Sequence, residues 1–165
     1  MYDIIIVRNG EISIKKRNKA EFENALVKNI KYRVYKNKAL KVQKANGRIE
    51  ILLNGQDENE VMENIKDIFG VVSLSPAKVS ESGYENLIMT VKELVEAEIG
   101  RDKKASFKIA VKRIDKSFDM KSTQMSRDIG AKILKAFDNL HVDVINPEYE
   151  IHCEYRKNEN IVYFK

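Results

Sequence analysis

The chain has one cysteine, two histidines and no long apolar run, and each scarcity closes a class of function. With Cys153 alone, no internal disulfide can form, and a reducing, cytoplasmic setting is the expectation. A membrane-spanning helix needs about 20 consecutive apolar residues, whereas the apolar runs here are short stretches such as Ile4 to Val7. The opening MYDIIIVRNGE lacks a basic n-region and a small-residue cleavage site, which predicts no signal peptide. His152 and Cys153 are neighbours in a strand-like segment, so they face opposite ways and cannot share a metal ion, and His141 has no second ligand at a metal-site spacing. A nucleophilic cysteine needs a histidine or a helix N-terminus placed against it, and no pattern around Cys153 supplies one. The glycines are scattered at turns and helix ends. None belongs to G-x-x-x-x-G-K-S/T, G-x-G-x-x-G or S-G-G-x-D-S, the loops that cradle phosphates. Paired carboxylates fall on solvated faces such as Glu58, Glu60 and Glu63. The sequence predicts no catalytic apparatus, no metal site and no cofactor within this chain, and no membrane partner.

What is present is charge, unevenly placed. The 165 residues are 43% hydrophobic and 33% charged, with a net charge of +5. Residues 1–48 carry 13 Lys/Arg against 4 Asp/Glu, residues 49–100 carry 3 against 11, and residues 101–165 carry 14 against 10. Two basic regions flanking an acidic one can build a positive face for a polyanion without an extreme total.

Hydrophobic periodicity divides the chain into two units. Residues 2–7 read as a buried strand. Asn18 and Glu21 have the spacing of a capping box, and Phe22, Ala25, Leu26 and Ile30 follow as a helix face. Residues 39–53 read as a hairpin about Asn46-Gly47, a two-residue turn that needs positive φ. Asp57 is placed to cap a second helix, with Val61, Ile65, Ile68 and Phe69 on one face and Gly70 at its end. Residues 71–79 are a further strand in which Pro76 suggests an edge or an exit. The order β-α-β-β-α-β is that of a ferredoxin-like domain in the α+β class, assigned to residues 1–75. In residues 76–165, Ser82 and Glu85 read as a capping box, followed by the stripe Tyr84, Leu87, Ile88, Val91, Leu94 and Val95, with Gly100 as the stop. Phe107, Ile109 and Val111 alternate inward. A helix beginning near Ser122 shows Met125, Ile129, Ile133, Phe137 and Leu140 on one face, and strands follow at 142–145, 150–155 and 161–165, with a polar turn from Arg156 to Asn160. The chain stops on Lys165 in or just after a strand, which suggests a truncated form of a longer protein.

Between the strand at Phe107 and the helix near Ser122 lies the densest basic turn: Lys108, Lys112, Arg113, Lys116 and Lys121, opposed by Asp115 and Asp119. Free N–H donors at a helix N-terminus beside lysines suit phosphate. Ser122 is either a cap or a phosphate ligand. A second cluster, Lys15, Lys16, Arg17 and Lys19, precedes or opens the first helix and either extends a nucleic-acid track or is a solvated loop. Strict alternation from Phe107 points Arg113 inward. Tyr32, Tyr35, Tyr149 and Tyr155 could stack on unpaired bases or sit at core edges.

The segment FKIAVKRIDKSF with Ser122 and Gly130, then VDVINPEYEIHCEY and IVYF, resembles a THUMP domain, an RNA-binding module of tRNA-modifying enzymes. The opening IIIVRNGEISIKKRNKAEFENAL resembles that of ThiI-type tRNA 4-thiouridine synthetases, through Arg8, Gly10, Glu11, Ile12, Lys15, Asn18 and Phe22. Asn9 stands where that family has an aromatic residue and Lys16 where it has glycine. The resemblance covers the whole chain. It implies a ferredoxin-like domain followed by THUMP, and a function in binding the acceptor stem and 3′ end of tRNA. It also implies that a further ATP-pyrophosphatase domain, using ATP and magnesium and a persulfide sulfur donor, would thiolate the uridine. Two alternatives differ in class: a stand-alone THUMP-type adaptor presenting tRNA to a separate modifying enzyme, and a small enzyme using Cys153 as a sulfur carrier.

Overall fold

Ile4 to Val7 are all buried, and β1 (Ile4–Asn9) owes its central place to them. The computed structural model describes residues 1–10 and 16–165, and the side chains of all of these except Lys16 and Arg17. Two compact units emerge, Met1–Ala77 and Lys78–Lys165.

In the first unit β1 is followed by α1 (Lys16–Val34), β2 (Lys41–Ala45), β3 (Arg48–Leu52), α2 (Glu58–Ile65) and β4 (Val71–Glu81), whose residues up to Ala77 lie in this unit. The strand order is β2-β3-β1-β4 and every pairing is antiparallel. This is the ferredoxin-like arrangement that the alternation of strands and helices predicted. The β2–β3 hairpin turns on Asn46 (φ 56°) and Gly47 (φ 74°), the doubly positive φ that matches strand twist. Leu26, Ile30 and Val34 on α1 and Val61 and Ile65 on α2 are buried with Ile49, Ile51 and Leu53. Burying one such side chain contributes about 1.5–3 kcal/mol.

Several local expectations change here. Asn18 does not cap α1: the helix is already running at Lys16, so Asn18 is an exposed interior position. Ala25 is exposed, since the buried stripe runs through Leu26 and Ile30. Asp57 caps α2 as expected, accepting from the N–H groups of Asn59 (2.7 Å) and Glu60 (3.3 Å). The helix then stops at Ile65, short of Gly70, and Phe69 lies in the following turn, 83% exposed, rather than on the buried face. Gly70 serves that turn instead: its φ is 100°, and a Cβ there would stand 2.8 Å from the Phe22 ring.

The second unit contains α3 (Tyr84–Glu98), β5 (Ala105–Arg113), α4 (Ser122–Ala136), β6 (Leu140–Val142), β7 (Tyr149–Tyr155) and β8 (Glu159–Phe164). β5 pairs in parallel with both β6 and β7, and β7 pairs antiparallel with β8. Parallel neighbours need a crossover, and α4 is the crossover between β5 and β6. Helix α3 packs on β7 and β8, and α4 packs on β5 and β6. Gly100 (φ 74°) ends α3, its N–H donating to Val95 O.

Ser82 and Glu85 do not form a capping box. The N-cap is Gly83, φ 111°, whose carbonyl accepts from Leu87 N and from Asn160 Nδ2. Asn160 is fully buried in β8 rather than exposed in the polar turn, and its amide also reaches Ser80 Oγ (3.2 Å) and Glu81 O (3.0 Å). The face begun by Met125, Ile129 and Ile133 ends when Phe137 turns extended (φ −131°, ψ 103°). Leu140 therefore belongs to β6, two residues before the expected strand, and residues 143–145 form a turn in which Asp143 Oδ1 accepts from Ile145 N and Asn146 N.

Candidate nucleic-acid interface

Strand β5 delivers the basic turn at its C-terminal end, and four separate contacts hold that turn. The N–H groups of Ile114 and Asp115 both donate to Tyr155 O, at 2.8 and 3.0 Å, fastening the turn to β7. Arg113 Nη1 donates to Phe118 O (2.9 Å) and Met120 O (3.1 Å). The Phe118 ring lies 5.2 Å from Tyr84 and 4.9 Å from Tyr155, anchoring the turn in an aromatic trio. Asp115 Oδ1 accepts from the N–H and the hydroxyl of Ser117, and these hydrogen bonds hold its carboxyl below the ordinary carboxylate value. Asp115 is thereby engaged locally rather than in a direct ion pair with the neighbouring lysines.

Lys112, Lys116 and Lys121 are exposed, and among the described residues none of them is in an ion pair. Lys108 differs: it is half-exposed on β5, with its Nζ 3.7 Å from Glu150 on the neighbouring strand. Arg113 is half-buried and already committed to two carbonyls, in keeping with the inward direction that alternation gave it. Lys121, not Ser122, is the N-cap of α4. Its N–H donates to Gln124 Oε1 (3.0 Å), and among the described residues no side chain caps the helix's own first N–H groups. Ser122 is the half-buried first helical residue, whose carbonyl accepts from Ser126 Oγ (3.0 Å), and Ser126 Oγ in turn accepts from Val111 N (3.1 Å). The helix start is thus tied to β5, and its uncapped donors lie next to Lys121. Cations on a braced turn beside free N–H groups are suited to phosphate oxygens.

In the first unit, Lys19 is exposed on α1; Lys15 lies outside the described residues, as do Glu11 and Ile12, and only the helical backbone of Lys16 and Arg17 is described. Arg8 donates to Ser75 Oγ at 2.7 Å, a hold on β4. Two cations that sequence reasoning passed over belong near the basic turn. Lys157 acts on the Asp115 carboxyl, and exposed Arg127 lines an apolar hollow of about 320 Å³ with Lys108, Gly130 and Leu134. Neither carried a signal in the sequence, because both become neighbours only through β7 and α4.

Of the four tyrosines singled out, Tyr155 is buried in the aromatic trio, and Tyr149 packs edge-on against Phe164 while its hydroxyl accepts from Lys103 Nζ. Cys153 is fully buried and burial pushes its thiol up, away from the thiolate a sulfur carrier requires. Among the described residues no cluster of three His, Cys, Asp or Glu could hold a metal ion, and no helix is long and apolar enough to cross a membrane.

Comparison with known proteins adds to this geometry. The family model of the ThiI ferredoxin-like domain matches residues 4–75, and that of the THUMP domain matches residues 81–165. A protein of Thermoanaerobacter pseudethanolicus named "Probable tRNA sulfurtransferase" is 38% identical over 157 residues, covering 95% of this chain and 40% of the relative. One of the same name from Alkaliphilus oremlandii is 38% identical over 162 residues, with 94% and 40% covered. The chain therefore spans about two fifths of the length of these relatives. Among solved structures, a Pyrococcus horikoshii protein superposes with a TM-score of 0.80 at 27% identity, over 99% of this chain and 54% of that one. A 4-thiouridine synthetase crystallised with RNA and ATP gives 0.77 at 29%, over 100% of this chain and 41% of that one.

Proposed function

Since the chain belongs to the THUMP family and carries a ThiI-type ferredoxin-like domain before it, we propose that it is the tRNA-binding part of a tRNA 4-thiouridine synthetase. It would recognise the acceptor stem and 3′ end. The observation that carries this reading is the basic turn: three exposed lysines, in no ion pair among the described residues, flank or lie on a turn held by Arg113 and Phe118, beside the start of α4. Phosphate contacts of this kind position an RNA without reading its sequence, and an unpaired end supplies the shape that an RNA module can distinguish. The solved relative bound to RNA supports the class of ligand.

Thiolation of the uridine is assigned to the remainder of a longer protein, as in relatives more than twice the length of this chain. ATP, magnesium and a persulfide donor would act there, and this chain would supply grip and orientation.

The test is a titration of the chain against an acceptor-stem minihelix with and without its unpaired 3′ end. Tighter binding of the intact minihelix is expected. Equal binding of both would overturn recognition of the end, and absence of binding to either would overturn the function.

A further inference from the structure

The C-terminal half of α1 and the turn that follows it carry cations and rings that neither the core nor the basic turn uses. Between Lys28 and Lys38 the chain has Lys28, Lys31, Arg33, Lys36 and Lys38 and no Asp or Glu. Arg33 is occupied, donating to Asn64 O (2.7 Å) and Asp67 Oδ1 (2.8 Å). The four lysines are exposed, and among the described residues none is in an ion pair.

Cations near a helix C-terminus complement its dipole, which accounts for lysines there but not for what lies between them. Tyr32 is 78% exposed and Tyr35 56% exposed, and their rings stack with centroids 6.0 Å apart and planes at 27°. Packing of α1 does not require them, because Leu26, Ile30 and Val34 already fill the buried face. The rings border an open hollow of about 510 Å³ whose other walls include Lys36, Asn37, Gln56 and Glu60. A hydrogen bond from Asn37 Nδ2 to Gln56 Oε1 (3.0 Å) braces part of that lining. Among the described residues Glu60 is the one acid in the lining, and it would turn phosphates away from itself toward Lys36.

We propose that Tyr32 and Tyr35 form a stacking platform for unpaired nucleotides of RNA, with Lys28, Lys31, Lys36 and Lys38 gripping the phosphates that link them. This deepens the tRNA-binding reading and rests on it. Every base has a π-face, so aromatic platforms bind single strands with little sequence preference, whereas bases inside a duplex are stacked on one another and unavailable. Lysines interleaved with the exposed rings along the chain, Lys36 among them in the same hollow, also distinguish this surface from a protein-docking patch, whose centre is depleted in lysine.

The chain contains no tryptophan, so tyrosine emission can report binding. A short oligoadenylate should quench that emission. Tyr32→Ala and Tyr35→Ala should each weaken its binding by about 5- to 150-fold, while Tyr→Phe at either position keeps most of it. A blunt duplex should not discriminate among these variants. The triple variant Lys112→Ala, Lys116→Ala, Lys121→Ala should bind tRNA more weakly yet still show quenching of tyrosine emission by oligoadenylate. Loss of oligoadenylate affinity in the tyrosine variants of a chain that fails to bind tRNA would sustain the platform and sink the tRNA reading. A folded Tyr32→Ala, Tyr35→Ala double variant that binds both oligoadenylate and tRNA as the parent does would overturn the platform.

Discussion

Replacing Lys112, Lys116 and Lys121 with alanine, singly and together, should change how tRNA binding responds to salt. If each lysine neutralises one phosphate, each releases about one counterion on binding. The slope of log K against log salt should then fall by about 0.7 per lysine for single-stranded contacts and about 0.9 for duplex. All three together should remove about 2 to 2.7 from the slope. Over a rise from about 50 to 200 mM salt, the parent should lose about 16- to 40-fold more affinity than the triple variant. The loss should be similar across tRNA sequences, because phosphate contacts do not read bases. Folding should be unaffected, since the three side chains are exposed and in no ion pair among the described residues, and such surface changes stay within about 0.5 kcal/mol. Arg113→Ala is the contrasting variant. It removes two hydrogen bonds from a half-buried guanidinium to the carbonyls of Phe118 and Met120. The expected cost is about 1.5–3 kcal/mol of stability, with a slope change smaller than that of a lysine. Filter binding at four salt concentrations and urea unfolding of each variant supply both readouts. Unchanged slopes in the lysine variants, with folding intact, would reduce the basic turn to a solvated surface. A lysine-like slope loss in Arg113→Ala with an unchanged unfolding midpoint would show Arg113 gripping phosphate rather than the turn.

Two further outcomes concern titratable groups. Asp128 accepts from Lys132 Nζ and from the Tyr84 hydroxyl, both at 2.6 Å, and these bonds hold its carboxyl below the ordinary 3.8. Its stabilising share is complete above that ordinary value and is lost as pH falls through the depressed one, so Asp128→Asn should flatten the acid limb of unfolding free energy against pH; an unaltered limb would refute the linkage. Cys153 should resist a thiol reagent such as dithionitrobenzoate in the native chain and react fully in denaturant, and Cys153→Ala should bind tRNA as the parent does. Fast native labelling would contradict its burial.

Local chemistry was legible where the sequence contained both partners. Asn46-Gly47 names its turn and Asp57 its helix start, because the atoms concerned lie within a few residues of each other. The ferredoxin-like order followed from periodicity for the same reason. Ser82 and Glu85 misled because a partner from far along the chain, Asn160, takes the Gly83 carbonyl. Leu140 misled because helical spacing happens to persist across Phe137, where the backbone has already turned extended. At the basic turn, the sequence identified the cluster but not the division of labour within it. Alternation did point Arg113 inward, yet nothing in the sequence revealed the two carbonyls waiting for it or the Glu150 carboxylate near Lys108. Lys157 and Arg127 lie outside the motif altogether.

The buried amide of Asn160 also sets a timetable for synthesis. It fastens Ser80, Glu81 and Gly83, groups that leave the ribosome 77 to 80 residues earlier. At about 5–20 residues per second, those groups wait roughly 4 to 16 s for their partner. The parallel pairing of β5 with β7 must wait for the residues from Tyr149 onward as well. Strands β1, β2 and β3, by contrast, are complete by Leu52: β2 and β3 join over the two-residue turn Asn46-Gly47, and β1 pairs with β3 across 42 to 48 residues, closures that cost less entropy than that of Asn160. A nascent chain halted before Asn160 should therefore present a first unit already able to fold and a second unit still open to chaperones and proteases.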